Sequence, residues 1–138
     1  MFTLIDKIII LKRVPIFSGF DAESLKILSG ISEEVFYNSG ELIFEEGEAG
    51  DALYIVINGT VKIFKQSDSS ALSVIEANGF FGEFAVLGNE NRSASAIAVS
   101  DTDLLVISKD KFHSLLFAHP LLSLPIFDNL ISRLVKHG

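Results

Sequence analysis

The chain has 138 residues, enough for one domain with a sizeable core, and no cysteine, which excludes a disulfide framework, a thiolate metal site and a cysteine nucleophile. Its net charge of −7 and pI near 4.8 oppose the basic, counterion-releasing surface that duplex DNA requires, so nucleic acid is not an expected partner. Although 49% of the residues are hydrophobic, no run approaches the roughly 20 apolar residues of a membrane span, and the expected setting is soluble and cytoplasmic.

In chain order, Leu4, Ile5, Ile8 and Leu11 recur at helical spacing until Pro15 ends the pattern. Charged neighbours Asp6, Lys7, Lys12 and Arg13 mark this segment as a helix rather than a signal peptide. Asp21 predicts the N-cap of a second helix carrying Leu25 and Leu28, with Gly30 just past its end. From Val35 the texture changes to short apolar and β-branched runs at 35–37, 42–44, 53–57, 61–64, 71–75, 96–99 and 104–107. Turn residues separate them, and the spacing predicts a mainly β middle, a sandwich or barrel read as a β-roll.

Asn58-Gly59 predicts a type I′ hairpin joining 53–57 to 60–64, and the polar stretch 66–70 predicts an exposed loop. Ser108 predicts the cap of a helix through Phe112, Leu115 and Leu116 that His119-Pro120 interrupts. In the last helix Pro125 suits the first turn, and Ile126, Phe127, Leu130, Ile131, Leu134 and Val135 form a stripe wide enough to pack on the roll, on a second copy, or on both. The expected organisation is a single domain: helical 1–31, β-roll 32–107, C-terminal helices 108–138.

The run from Phe81 to Ala94 carries the chemistry. Glu83 and Arg92 stand at its two ends, and such a pair suits a phosphorylated sugar: a carboxylate accepts from ribose hydroxyls while a guanidinium forks onto phosphate oxygens. Gly82 permits close backbone approach, Phe84 to Leu87 can form one turn with free N–H groups for an anion, and Ser93 can add a donor. His113, His119 and His137 lie in the C-terminal helical part, away from strands that would carry metal ligands, so neither a metal nor a cofactor is expected. No nucleophile elbow or paired catalytic carboxylates appear, and the chain is not expected to be an enzyme.

Two stretches resemble the cyclic nucleotide-binding domain family of catabolite-activator-type regulators, kinase regulatory subunits and nucleotide-gated channels. One is residues 43–59, with Gly47, Gly50 and Gly59 shaping turns around the apolar strand; Phe44 is a mild departure, since a smaller residue is usual there. The other is the phosphate-binding cassette, which keeps Gly82-Glu83, the small Ala85, and Arg92 followed by Ser93 and Ala94. The resemblance implies a jelly roll that binds cAMP or cGMP as an intracellular signal. It places Glu83 on the ribose 2′-hydroxyl, Arg92 and Ser93 on the phosphate with Gly82, Phe84 and Ala85 as further ligand-binding positions, and Ile63 and Leu72 against the purine. Loss of Arg92 is then expected to abolish binding and leave the fold intact.

Family behaviour also implies that the C-terminal helix, 126–136, swings toward the roll to cover the base. The sequence stops at Gly138, without the long dimerisation helix or helix-turn-helix of the bacterial regulators. This is read as a stand-alone sensor or a domain of a larger protein, with a homodimer or a fused or partner effector domain left open. The alternative is an interaction module whose roll has lost its ligand, which the retention of both Glu83 and Arg92 disfavours. A cupin-like enzyme is disfavoured by where the histidines fall.

Overall fold

A computed structural model describes residues 2–88 and 91–137, without the side chains of 68–70, 84, 85 and 133–137. Leu134 and Val135 of the apolar stripe therefore have side chains outside the described residues, as Asn89 and Glu90 of the cassette lie outside altogether.

Helix α1 (Leu4–Lys12) starts on a capping box: the Thr3 hydroxyl accepts from the Asp6 N–H, and the Asp6 carboxylate accepts from the Thr3 N–H. Helix α2 (Ala22–Gly30) starts on Asp21 as expected, its carboxylate accepting from the Ser24 N–H. Gly30 does not cap α2; it is the last helical residue, and Ile31 closes the helix in right-handed geometry. The chain needs no left-handed glycine there, because the Ser29 and Ser32 hydroxyls donate to the Leu25 and Ser29 carbonyls and tie the junction into the first strand.

Among the described residues, eight strands form two four-stranded antiparallel sheets. The first runs in the order β1 (Ser32–Tyr37), β8 (Thr102–Ser108), β3 (Ala52–Asn58) and β6 (Phe80–Phe81). The second runs β2 (Leu42–Phe44), β7 (Ser95–Ala98), β4 (Val61–Lys65) and β5 (Asp68–Ile75). With helices at both ends this is the jelly-roll architecture. The two-residue β6 escapes sequence reading because it is too short to show an alternation.

The Asn58-Gly59 hairpin does not form: β3 and β4 lie in different sheets. Strand β3 has β8 on one edge and β6 on the other, so no edge remains for β4. Gly59 does take φ +99°, but Asn58 does not take the positive φ that a type I′ turn demands. The chain instead turns a corner between sheets, where the Thr60 N–H donates to the Thr102 hydroxyl at 3.3 Å and the Thr60 carbonyl accepts from the Val99 N–H at 2.8 Å. The hairpin is one element later: Lys65 pairs with Asp68 across Gln66-Ser67. Residues 68–70, expected as loop, extend edge strand β5, whose backbone ladder to β4 needs no apolar side chains.

Helix α4 (Lys109–Ala118) begins on Ser108, whose hydroxyl accepts from the Lys111 N–H. In α5 (Ser123–His137) only part of the apolar stripe is buried. Ile126 and Leu130 enter the core, while Phe127 and Ile131 stay half exposed. The helix packs on the 3₁₀ turn Pro15–Phe17, and Pro125 sits so close to Gly19 that a side chain at that glycine would collide with it. One core lies between the helices and the first sheet, around Phe17, Ile55, Leu105 and Phe112. A second fills the roll and is built on Phe44, Tyr54 and Phe81, with Tyr54 stacked on Phe81 at 5.0 Å. Among the described residues no single helix is long and apolar enough to cross a membrane; α4 joined to 120–132 reaches that length only with a bend of 112°.

Candidate functional site

The two stretches singled out in the sequence fold against each other. Pairing of β6 with β3, Phe81 opposite Tyr54, delivers the chain to Gly82, which adopts φ +83°. A Cβ there would come within 2.7 Å of Arg92 Nη1, so the guanidinium fills space that only glycine leaves. The turn after β2 fixes the Arg92 backbone from the other side: the Arg92 N–H donates to the Glu48 carbonyl at 2.7 Å, and the Gly47 N–H donates to the Arg92 carbonyl at 2.8 Å.

Arg92 is only 4% exposed. Its Nη1 donates to the Gly82 carbonyl at 3.1 Å and its Nη2 to the Ala52 carbonyl at 2.8 Å, with Asp51 Oδ1 3.5 Å from Nη2. The guanidinium lies over the Phe44 ring at 4.2 Å and near Tyr54 at 5.6 Å. A buried charge needs such partners, and ring faces supply attraction without competing for its N–H groups. These two bonds use two of the five guanidinium N–H groups, and among the described residues the buried Nε has no hydrogen-bond partner. An unmet buried donor costs about 1–3 kcal/mol, which an arriving acceptor returns. Burial pushes the Tyr54 phenol up to about 12 against the opposing pull of Arg92, so Tyr54 stays neutral beside the cation.

Above this arginine is a cavity of about 460 Å³. Gly82, Glu83, Arg92 and Ser93 line it together with Ile63 and Leu72, so six of the eight sequence-selected positions meet around one space. Glu83, 7% exposed, is the first residue of the single-turn helix α3 (Glu83–Leu87). Phe84 and Ala85 belong to α3, but their side chains lie outside the described residues. Ser93 is exposed, and its carbonyl accepts from Lys65 Nζ. Leu72 stays 60% exposed, whereas Ile63 is half-buried.

Sequence reading missed Phe44, Ser73, Ile75, Phe80, Phe81, Asn91 and Ala94 as lining residues. Two of these had a signal: Ser73 pairs with Ile63 and Ile75 with Val61, so the two-residue period of β5 extends the wall that Ile63 begins. Phe44, a departure from the usual smaller residue, is the surface on which Arg92 rests. Among the described residues no group of three or more metal-ligating side chains is present.

The cyclic nucleotide-binding domain model matches residues 34–119, and the chain belongs to that family. It is 32% identical over 116 residues to the cyclic AMP receptor protein of Thermus thermophilus, covering 82% of this chain and 54% of that one. It is 35% identical over 112 residues to cGMP-dependent protein kinase isozyme 2 of Drosophila melanogaster, covering 77% and 12%. The chain thus spans about half of the first relative and a small part of the second. The N-terminal domain of a transcriptional regulator from Streptomyces coelicolor superposes with a TM-score of 0.80 at 27% identity, covering 94% of both chains. The matched region is a regulatory domain and not a catalytic one.

Proposed function

We propose that residues 1–138 form one regulatory domain that reversibly binds a cyclic mononucleotide, cAMP or cGMP, without chemistry on the ligand. The observation that carries this reading is the pair Glu83 and Arg92, both buried, both on one cavity, with Arg92 Nε lacking an acceptor among the described residues. A cyclic phosphodiester supplies that acceptor, while Gly82, Ser93 and the first turn of α3, with Phe84 and Ala85, present further donors to it. Glu83 accepts from the ribose 2′-hydroxyl. The wall of Ile63, Leu72 and Ile75 takes the purine. At about 460 Å³ the cavity falls within the roughly 300–1,000 Å³ of small-molecule sites.

Output requires that the ligand favour one of two arrangements of the chain. Among the described residues none of α4 or α5 lines the cavity, so a bound state in which α5 shifts toward the base differs from the present one. The relatives include both a cyclic AMP receptor protein and a cGMP-dependent protein kinase, and Ser93 serves either base. Thermal denaturation with cAMP, cGMP and 5′-AMP tests the proposal: the midpoint rises with the cyclic species and stays put with 5′-AMP. No rise with any cyclic nucleotide overturns it in favour of the interaction module.

A further inference from the structure

α3 is a single turn, too short to hold itself together without outside partners. Val86 is fully buried near its end, and its carbonyl falls where a helix has no internal donor left. His113 of α4 meets that need, its Nε2 lying 2.7 Å from the Val86 oxygen. Because a carbonyl only accepts, the imidazole carries a proton on Nε2.

This bond joins two parts of the chain that the function separates. At one end of α3, Glu83 lines the cavity; at the other, Val86 is held by α4. Helix α4 comes straight out of β8 through its Ser108 cap and turns by 112° at His119-Pro120 into the segment that begins α5. Phe112 and Leu115 bury the neighbouring face of α4, but apolar packing tolerates sliding, whereas a hydrogen bond is lost within a fraction of an ångström.

We infer that His113 is a positioning residue that transmits the state of the cassette to α4 and α5. Any displacement of α3 by a ligand either drags His113 with it or breaks the bond, and both change how α4 sits. This inference rests on the reading of the cavity as a cyclic nucleotide site. His113 touches no ligand; it acts through Val86.

The test uses the absence of cysteine to attach spin labels at Ser67→Cys on the β4–β5 turn and Ile131→Cys on α5, both exposed positions. Calorimetry with cAMP and cGMP accompanies each distance measurement. In the otherwise wild-type chain, saturating nucleotide shifts the label distance. His113→Leu still binds, about two- to tenfold more weakly, and loses the shift; His113→Gln, which keeps a side-chain N–H donor, recovers it. A full shift in His113→Leu, or failure of His113→Gln to recover what leucine loses, overturns the inference while leaving the functional reading intact. Absence of binding by the wild-type chain overturns both. Should His113→Leu fail to fold, long-range ¹H–¹⁵N spectra of the wild-type ring decide: Nε2 is protonated and its signal moves on ligand addition, and an unmoved signal overturns the inference.

Discussion

Replacing Arg92 by alanine removes a side chain that serves two purposes, and the structure lets the two be separated. Without ligand, the substitution strips the Gly82 and Ala52 carbonyls of their donors and leaves the face of Phe44 uncovered. An orphaned buried carbonyl such as that of Ala52 costs about 1–3 kcal/mol, while the partly buried Gly82 carbonyl is reached by water through the cavity, so the sum stays at about 2 kcal/mol. For a domain of this size that lowers the melting midpoint by about 6–10 °C. The burial of Arg92 adds this lower midpoint to the intact fold expected from sequence.

The effect on binding is larger. Two charge-assisted bonds to phosphate are worth about 1.5–3 kcal/mol each, out of about 8 kcal/mol for a micromolar ligand, so affinity falls by at least about 100-fold. Arg92→Lys keeps the charge but not the fork: it regains part of the stability, yet binds at least about tenfold more weakly than wild type. Calorimetric titration with cAMP and cGMP, alongside thermal denaturation without nucleotide, reads both quantities. Wild-type affinity in Arg92→Ala would refute the assignment of this arginine to phosphate. An unshifted midpoint would refute its structural role.

Glu83→Gln should weaken cyclic nucleotide binding about tenfold, and the loss should be absent for the 2′-deoxy analogue, which lacks the hydroxyl in question; an equal loss for both would contradict the ribose assignment. Gly59→Ala should destabilise the chain by about 3 kcal/mol or more in denaturant unfolding, because its φ of +99° disfavours any side chain and a Cβ would meet Thr102 and stand 2.6 Å from the Asp101 carbonyl. Tyr54, with its phenol raised by burial, adds stability that is fully present below the unfolded value of 10 and is lost as pH climbs through about 12. Unfolding free energy measured from pH 9 to 12 should therefore drop above pH 10 in wild type and less steeply in Tyr54→Phe.

What the sequence conveyed well was whatever short-range chemistry decides. Asp21 and Ser108 cap helices because their oxygens reach a backbone N–H three residues on, and that needs no tertiary information. Gly82, Glu83 and Arg92 come together because one glycine permits the turn that the other two require. Long-range pairing was hidden. Asn58-Gly59 carries the local chemistry of a hairpin, yet competition for the edges of β3 by β6 and β8 makes it a corner. The same limit hid the role of Phe44, whose ring lies under a guanidinium 48 residues away in sequence only because Gly47 and Glu48 pin the Arg92 backbone. The α5 stripe, too, was visible as a pattern, while the partner of Ile126 and Leu130 was set by where α5 could reach the turn at Pro15–Phe17.

The central claim is that a nucleotide phosphate completes the bonding of Arg92 inside the roll. The arginine Nε–H signal of Arg92, followed by ¹H–¹⁵N NMR while cAMP or cGMP is titrated in, tests it most directly. The account predicts that this one signal, from a group with no partner among the described residues, shifts strongly downfield and becomes protected from exchange in step with saturation. Saturable binding that leaves the Arg92 Nε–H signal where it began would contradict it.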